Sequence, residues 1–246
     1  MRQIVALALL IFPVISRGEL AIFQGVGSAS TFLQSDNPNN PQLTSAILEV
    51  GGQVYRSLIR FDLSSLAGQY SLITEIQLNL IPLASSPSSN TLLLHEVSSA
   101  NGDWAARSAS WNYKNQDTTT AWSGGEGLGT SGYGATLANV PWTSGDLPNP
   151  IIFTIADPST ATALVNDFTD GMNEGFIITS TKDVDGGGGL LFLDGTEYPS
   201  ASLQPTLAVT YTVVPEPSAT LMLIGSLAVF GQRKLRRQPP GQRLET

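Results

Sequence analysis

Within residues 73–83, apolar and polar side chains alternate one for one from Glu75 to Leu80. Ile76, Leu78 and Leu80 fall on one face, and Glu75, Gln77 and Asn79 on the other. A period of two belongs to an extended chain with one face in a core and one in water, so this segment predicts a half-buried antiparallel strand. Residues 55–63 alternate around Leu58, Ile59 and Phe61. Residues 91–97, 151–155, 175–180, 190–193 and 203–213 read as further strands, separated by Ser, Asn, Gly and Pro clusters such as 84–90 and 183–189. One helical period interrupts them. Asp157-Pro158 offers an N-cap and a first-turn proline, Ala161, Leu164, Val165 and Phe168 share a face, and Gly171 can end the helix. Many short strands with one short helix predict an all-β fold, an antiparallel two-sheet, jelly-roll-like β-sandwich. No internal repeat points to a solenoid or propeller. The glycine-rich stretch 123–134 reads as loop rather than core.

Two apolar runs bracket these strands. Met1-Arg2 opens the chain, residues 4–15 are twelve apolar residues, and Ser16-Arg17-Gly18 offers small residues two apart. That order predicts a secretory signal peptide over 1–18, cut after Gly18. The run is too short for a spanning helix, and the other readings are a buried strand or an uncleaved anchor. At the other end, Pro215-Glu216-Pro217 precedes fourteen uncharged residues, 218–231, followed by Arg233, Lys234, Arg236 and Arg237. As a helix, such a run spans about 21 Å against a hydrocarbon core of about 30 Å. Snorkelling basic side chains can cover part of the gap, and the basic cluster favours the cytoplasmic side. The chain between the two runs is then outside.

The tail 213–246 resembles the PEP-CTERM sorting signal: a Pro-Glu-Pro triplet, a short hydrophobic helix and a basic cluster. The resemblance implies a transient inner-membrane anchor, recognition by an exosortase, and release to the cell surface or an exopolysaccharide matrix. Residues 238–246 run past the basic cluster, where such chains commonly stop. The alternative reading is a plain tail anchor, for which a Pro-x-Pro before so short a span is poorly suited.

The middle, 19–212, resembles DNRLRE domains, a jelly-roll-like family of exported proteins. The segments that carry the resemblance are Thr31 to Pro38, Ile47 to Val50, Arg60-Phe61-Asp62-Leu63-Ser64, Trp104, Ser110-Trp111-Asn112, Trp122 to Gly125, Gly171 to Phe176 and Pro205 to Tyr211, in that order. Phe168 stands where the family often has a tryptophan. The resemblance implies a single domain of the carbohydrate-binding-module kind.

Charge narrows the partners. Residues 19–217 hold five basic residues (Arg56, Arg60, Arg107, Lys114 and Lys182) against nineteen acidic ones, a formal charge of −14. Such a chain repels nucleic acid and anionic lipid. It also disfavours an anionic polysaccharide unless those five cations cluster. The absence of cysteine removes disulfides and thiolate metal sites. His95 is the only histidine and lies in an apolar strand. With no Gly-x-Ser-x-Gly elbow, nucleophilic catalysis has no signature. A paired-carboxylate glycosidase could draw on Asp103, Asp117, Glu126 and Asp146. Asp183-Val184-Asp185-Gly186 has carboxylates two apart before a glycine but lacks the later Glu of a calcium loop. It reads as an acidic hairpin tip, with a structural calcium ion elsewhere as a further expectation.

Sugars stack their CH faces on aromatic rings. Trp104 and Trp111 read as core, whereas Trp122, Tyr133 and Trp142, in Gly-rich or Pro-flanked loops, are the carbohydrate-binding candidates, with one or two of them expected to pack their loops instead. The sequence thus predicts a non-catalytic, exported surface or matrix protein that meets exopolysaccharide. Its export partners are signal peptidase and the exosortase. A polysaccharide-degrading enzyme and a purely structural matrix component are the alternatives.

Overall fold

The computed structural model describes residues 18–24, 29–42, 47–51, 55–85, 89–170, 174–181, 191–194 and 200–214. Residues Arg17–Val213 form one compact unit. Its strands, in chain order, are β1 Gly18–Gln24, β2 Ala29–Gln34, β3 Ile47–Val50, β4 Tyr55–Arg60, β5 Tyr70–Leu80, β6 Pro82–Ser85 and β7 Ser89–Val97. They continue with β8 Tyr113–Asn115, β9 Thr120–Ala121, β10 Tyr133–Thr143, β11 Ile151–Ile155, β12 Phe176–Ser180, β13 Leu191–Asp194 and β14 Thr206–Val213. One α-helix, α1 Pro158–Thr169, lies between β11 and β12. The fold is all-β, as the alternation predicts. The expected signal peptide up to residue 17, the terminal hydrophobic helix and the sorting residues lie outside the described residues, as does Asp183-Val184-Asp185-Gly186; Gly18, the expected last residue of the signal peptide, is the first of β1. Among the described residues, no helix is long and apolar enough to cross a membrane.

The first sheet runs β1-β14-β5-β11 and the second β10-β7-β12-β4-β2, each pairing antiparallel. The two inner faces share one core. Ile76, Leu78 and Leu80 of β5, Phe153 of β11, and Leu207 and Val209 of β14 meet Ile59, Leu92, Leu94, Phe176 and Ile178 of the second sheet. Burying each such side chain stabilises the fold by about 1.5–3 kcal/mol. A third sheet, β3-β13-β6, adds Leu48 and Val50 to this core. The helix closes it at the side of β5. Asp157 caps its N-terminus by accepting from the Thr160 amide at 2.9 Å, Pro158 starts the first turn, and Ala161, Leu164, Val165 and Phe168 are buried. The Phe168 ring meets Phe176 edge-on at 5.3 Å.

The second sheet is covered on its outer face as well. Segment 98–132, with the short β8-β9 ribbon, lies over it and closes a second cluster of Leu33, Leu58, Val97, Trp104, Ala109, Trp122, Leu128 and Ile177. Every residue of β12 is therefore buried, which is why its sequence lacks alternation. Two expectations are corrected here. The stretch 123–134 contributes core, because Leu128 is fully buried in that second cluster. Residues 133–143 form a long edge strand rather than loop. Two register shifts break its pairing with β7, and Pro141 is accommodated at the sheet edge, where its missing N–H costs nothing.

Candidate functional site

The sequence of β4 fixes how the covering segment is fastened. Alternation puts Arg56, Leu58 and Arg60 on the outer face of the second sheet. Leu58 is at the centre of the second cluster, and an arginine flanks it on each side. The Arg60 guanidinium lies 4.8 Å from the Trp104 ring centre, and its Nη1 donates to the Gly102 carbonyl at 3.1 Å. The Arg56 guanidinium lies 5.2 Å from the Trp111 ring centre and donates to the Gly127 carbonyl at 2.8 Å and the Leu128 carbonyl at 3.2 Å. Gly127 has φ +65°, and a Cβ there would fall 2.4 Å from the Trp111 ring, so this turn admits only glycine. The Trp104 indole N–H donates to the Glu174 carbonyl, and that of Trp122 to the Ser110 carbonyl. Cations and indoles thus hold the segment to the sheet. The two guanidiniums are spaced four residues apart, a signal legible in the alternation of 55–60.

Of the three carbohydrate-binding candidates, two are the packed residues that the sequence left open. Trp122 is 4% exposed, inside the second cluster, and Trp142 is 2% exposed, in the main core. Neither has a ring face free to stack on a sugar. Tyr133 is half-buried against the second cluster. Its ring centre lies 4.5 Å from that of His95. His95 is itself buried, with Nδ1 3.1 Å from the Gly134 carbonyl and Nε2 3.3 Å from the Thr179 hydroxyl. Both ring nitrogens are therefore engaged. Burial, with a smaller contribution from Arg56, holds the His95 pKa below the usual imidazole range, despite hydrogen bonding near Gly134. Of the expected core tryptophans, Trp104 is buried and Trp111 half-buried beneath Arg56.

The candidate carboxylates are dispersed into local roles. Asp103 pairs with Lys114 Nζ at 2.5 Å. Asp146 accepts from the Thr143 amide at 2.6 Å and from its hydroxyl at 2.9 Å. Asp117 and Glu126 are exposed. A different acidic group, not singled out by sequence, combines Glu96 of β7, Glu174 before β12 and Asp167 of α1. Burial, then the charges of Asp167 and Glu174, push the Glu96 pKa up to about 7, and burial also raises that of Glu174. This group can retain a proton near neutrality. Among the described residues, no three His, Asp or Glu side chains converge as a metal ion would require.

The first sheet presents the opposite situation to the second. Pairing registers align its outward residues into rows: Gln24, Thr206, Asn79 and Ile152; then Ile22, Ala208, Gln77 and Thr154; then Leu20, Thr210 and Glu75. A fourth row holds Gly18, Thr212 and Leu72. Leu20, Ile22, Leu72 and Ile152 are exposed, and the Thr, Gln and Asn residues of the two central strands are half-buried. Glu75 is the one charged residue in these rows, and its Oε1 accepts from Gln77 at 2.9 Å. The result is a lattice of hydroxyl, amide and methyl groups on a strongly acidic domain. Sequence reasoning had every residue of the β5 stripe but could not see which strands would extend it sideways.

No model of a known protein family matches the chain, and no curated protein matches it.

Proposed function

We propose that this chain is an exported cell-surface or matrix protein that works without catalysis, meeting neutral exopolysaccharide through the open face of its first sheet. The end segments support export: an apolar run followed by small residues at the start, and Pro215-Glu216-Pro217, a short apolar run and a basic cluster at the end. The observation that carries the contact reading is the composition of the open face. Its hydroxyls and amides match sugar hydroxyls, its methyl groups match sugar CH faces, and Glu75 is the lone charge in its rows. The tryptophans expected for this task are committed to the two cores instead. An anionic polymer is disfavoured by the charge of the domain.

Co-sedimentation of the exported chain with the matrix polysaccharide of its host tests the reading. Binding without release of new chain ends is expected, and paired Gln77→Glu and Thr154→Glu substitutions should weaken it about tenfold, roughly 1.4 kcal/mol. Depolymerisation of the polymer, or binding indifferent to both substitutions, contradicts it. Deleting residues 215–237 tests export separately. The protein should shift from the cell surface to the medium or periplasm, and an unchanged location refutes the sorting reading.

A second reading, polysaccharide cleavage, draws on the contact of His95 with Tyr133 near Arg56. It requires the covering segment to open over His95, and loss of cleavage in His95→Ala would establish it.

A further inference from the structure

We infer that β1 is a seam through which two copies of this chain pair edge to edge, joining their first sheets into one continuous antiparallel sheet. Among the described residues, the β1 backbone pairs only with β14, so half of its backbone donors and acceptors face outward from the sheet, while the Gln24 side chain donates to the Ala201 carbonyl. It carries the two most exposed large apolar side chains of the described residues, Leu20 at 60% and Ile22 at 63%.

Natural edge strands are usually guarded by a lysine, a proline, a bulge or a covering element. The other long edges here have such guards. β10 has two register shifts and Pro141, β11 lies beside β10 at the corner of the sandwich, and β2 lies beside β3. Among the described residues, β1 has none of them: its seven residues contain no Lys, Arg or Pro, and its register from Gly18 to Gln24 is unbroken.

The strand also fits itself. A two-fold axis through Ala21 sets Leu20 of each copy opposite Ile22 of the other, on the outer face. Ala21 meets Ala21, and Glu19 meets Phe23 rather than a second Glu19. Facing residues share parity, so the apolar pairs remain on one face. The low charge of the strand admits the same occupant. A basic partner would be drawn to the acid-rich surface elsewhere, whereas β1 carries a single charged residue, so pairing there brings two acidic copies together where their local repulsion is small. Isologous pairing of this kind is the commonest symmetry for association. The inference stands on the edge and not on the polysaccharide reading, and either can fail without the other.

The absence of cysteine makes a clean test possible. In the full chain, exported by a bacterial host, Ala21→Cys places two thiols across the two-fold axis. The facing Cα atoms would be about 4.5–5.5 Å apart, within disulfide range. Oxidation should give a disulfide-linked dimer on a non-reducing gel. Thr154→Cys, on the far edge strand of the same sheet, should remain monomeric. Adding Leu20→Lys and Ile22→Lys to Ala21→Cys should reduce the dimer at least tenfold while thermal unfolding of the reduced protein is preserved. Sedimentation of the unmodified chain supplies a second readout, a concentration-dependent dimer that the lysine pair abolishes. Cross-linking of Ala21→Cys no greater than of Thr154→Cys, a cross-linked product with the mass of a different protein, or dimers indifferent to the lysine pair would overturn the inference.

Discussion

The first and second sheets share a core yet treat their outer faces in opposite ways. The first leaves a lattice of Thr, Gln, Asn and aliphatic residues to solvent, and the second is covered by segment 98–132, held by Arg56, Arg60 and three tryptophans. The difference accounts for the character of the strands. β5 alternates because one of its faces meets water, while β12 is apolar or small throughout because neither does. It also bears on function. Aromatic residues in a secreted β-domain invite a sugar-binding interpretation, but here most of the indole surface is spent on holding one layer of the protein to another. The proposed contact surface belongs to the sheet with no tryptophan in it.

The sharpest challenge to this contrast removes one large ring from each region. Phe153→Ala in the shared core and Trp104→Ala beneath the covering segment should each cost about 3–5 kcal/mol. Hydrogen exchange should separate them. Phe153→Ala weakens protection in both sheets together, whereas Trp104→Ala exposes segment 98–132 first and leaves the β5 and β14 amides protected. Loss of protection in β5 on Trp104→Ala would mean that the covering segment is not a separate layer.

A smaller effect is expected from the fastening itself. Arg60→Ala removes the stacking on Trp104 and the bond to the Gly102 carbonyl, and should cost about 0.5–2 kcal/mol, read by chemical denaturation. Arg60→Lys should recover only part of it, because an ammonium lacks the flat guanidinium that stacks on the ring.

The smallest effect is one of pH. The folded protein holds the Glu96 pKa at about 7, above its ordinary 4.5. The contribution of this group is fully present below about pH 4.5 and is lost as pH rises through about 7. Melting temperature should therefore fall between pH 5 and pH 8, and Glu96→Gln should flatten that part of the profile. Asp157 has the opposite sign. Hydrogen bonds from Ser159 and Thr160 lower its pKa to about 2, so its cap weakens only in strong acid.

How much of this was legible in the sequence follows the same division. The half-exposed strands β5, β11 and β14 announce themselves by alternation, and the helix by its Asp157-Pro158 start and its 161, 164, 165, 168 stripe. The strand β10 was hidden by Gly134 and Pro141, residues that an irregular edge tolerates. Trp122 and Trp142 looked exposed because local context there is polar and glycine-rich. Their burial depends on residues distant in sequence, such as Leu58 and Ile177 for Trp122, which no local pattern reveals. The open face was half legible: the β5 stripe is plain, but its extension by β1, β14 and β11 depends on pairing order, which alternation does not encode.

Hydroxyl-radical footprinting of the exported chain, read residue by residue by mass spectrometry, tests the contrast most directly. The account predicts strong labelling of Leu20, Ile22 and Ile152 in the dissociated protein and protection of Trp104, Trp122 and Trp142. Ready oxidation of Trp104 and Trp122 alongside protected Leu20 and Ile22 would contradict it, showing that the second sheet is the open one.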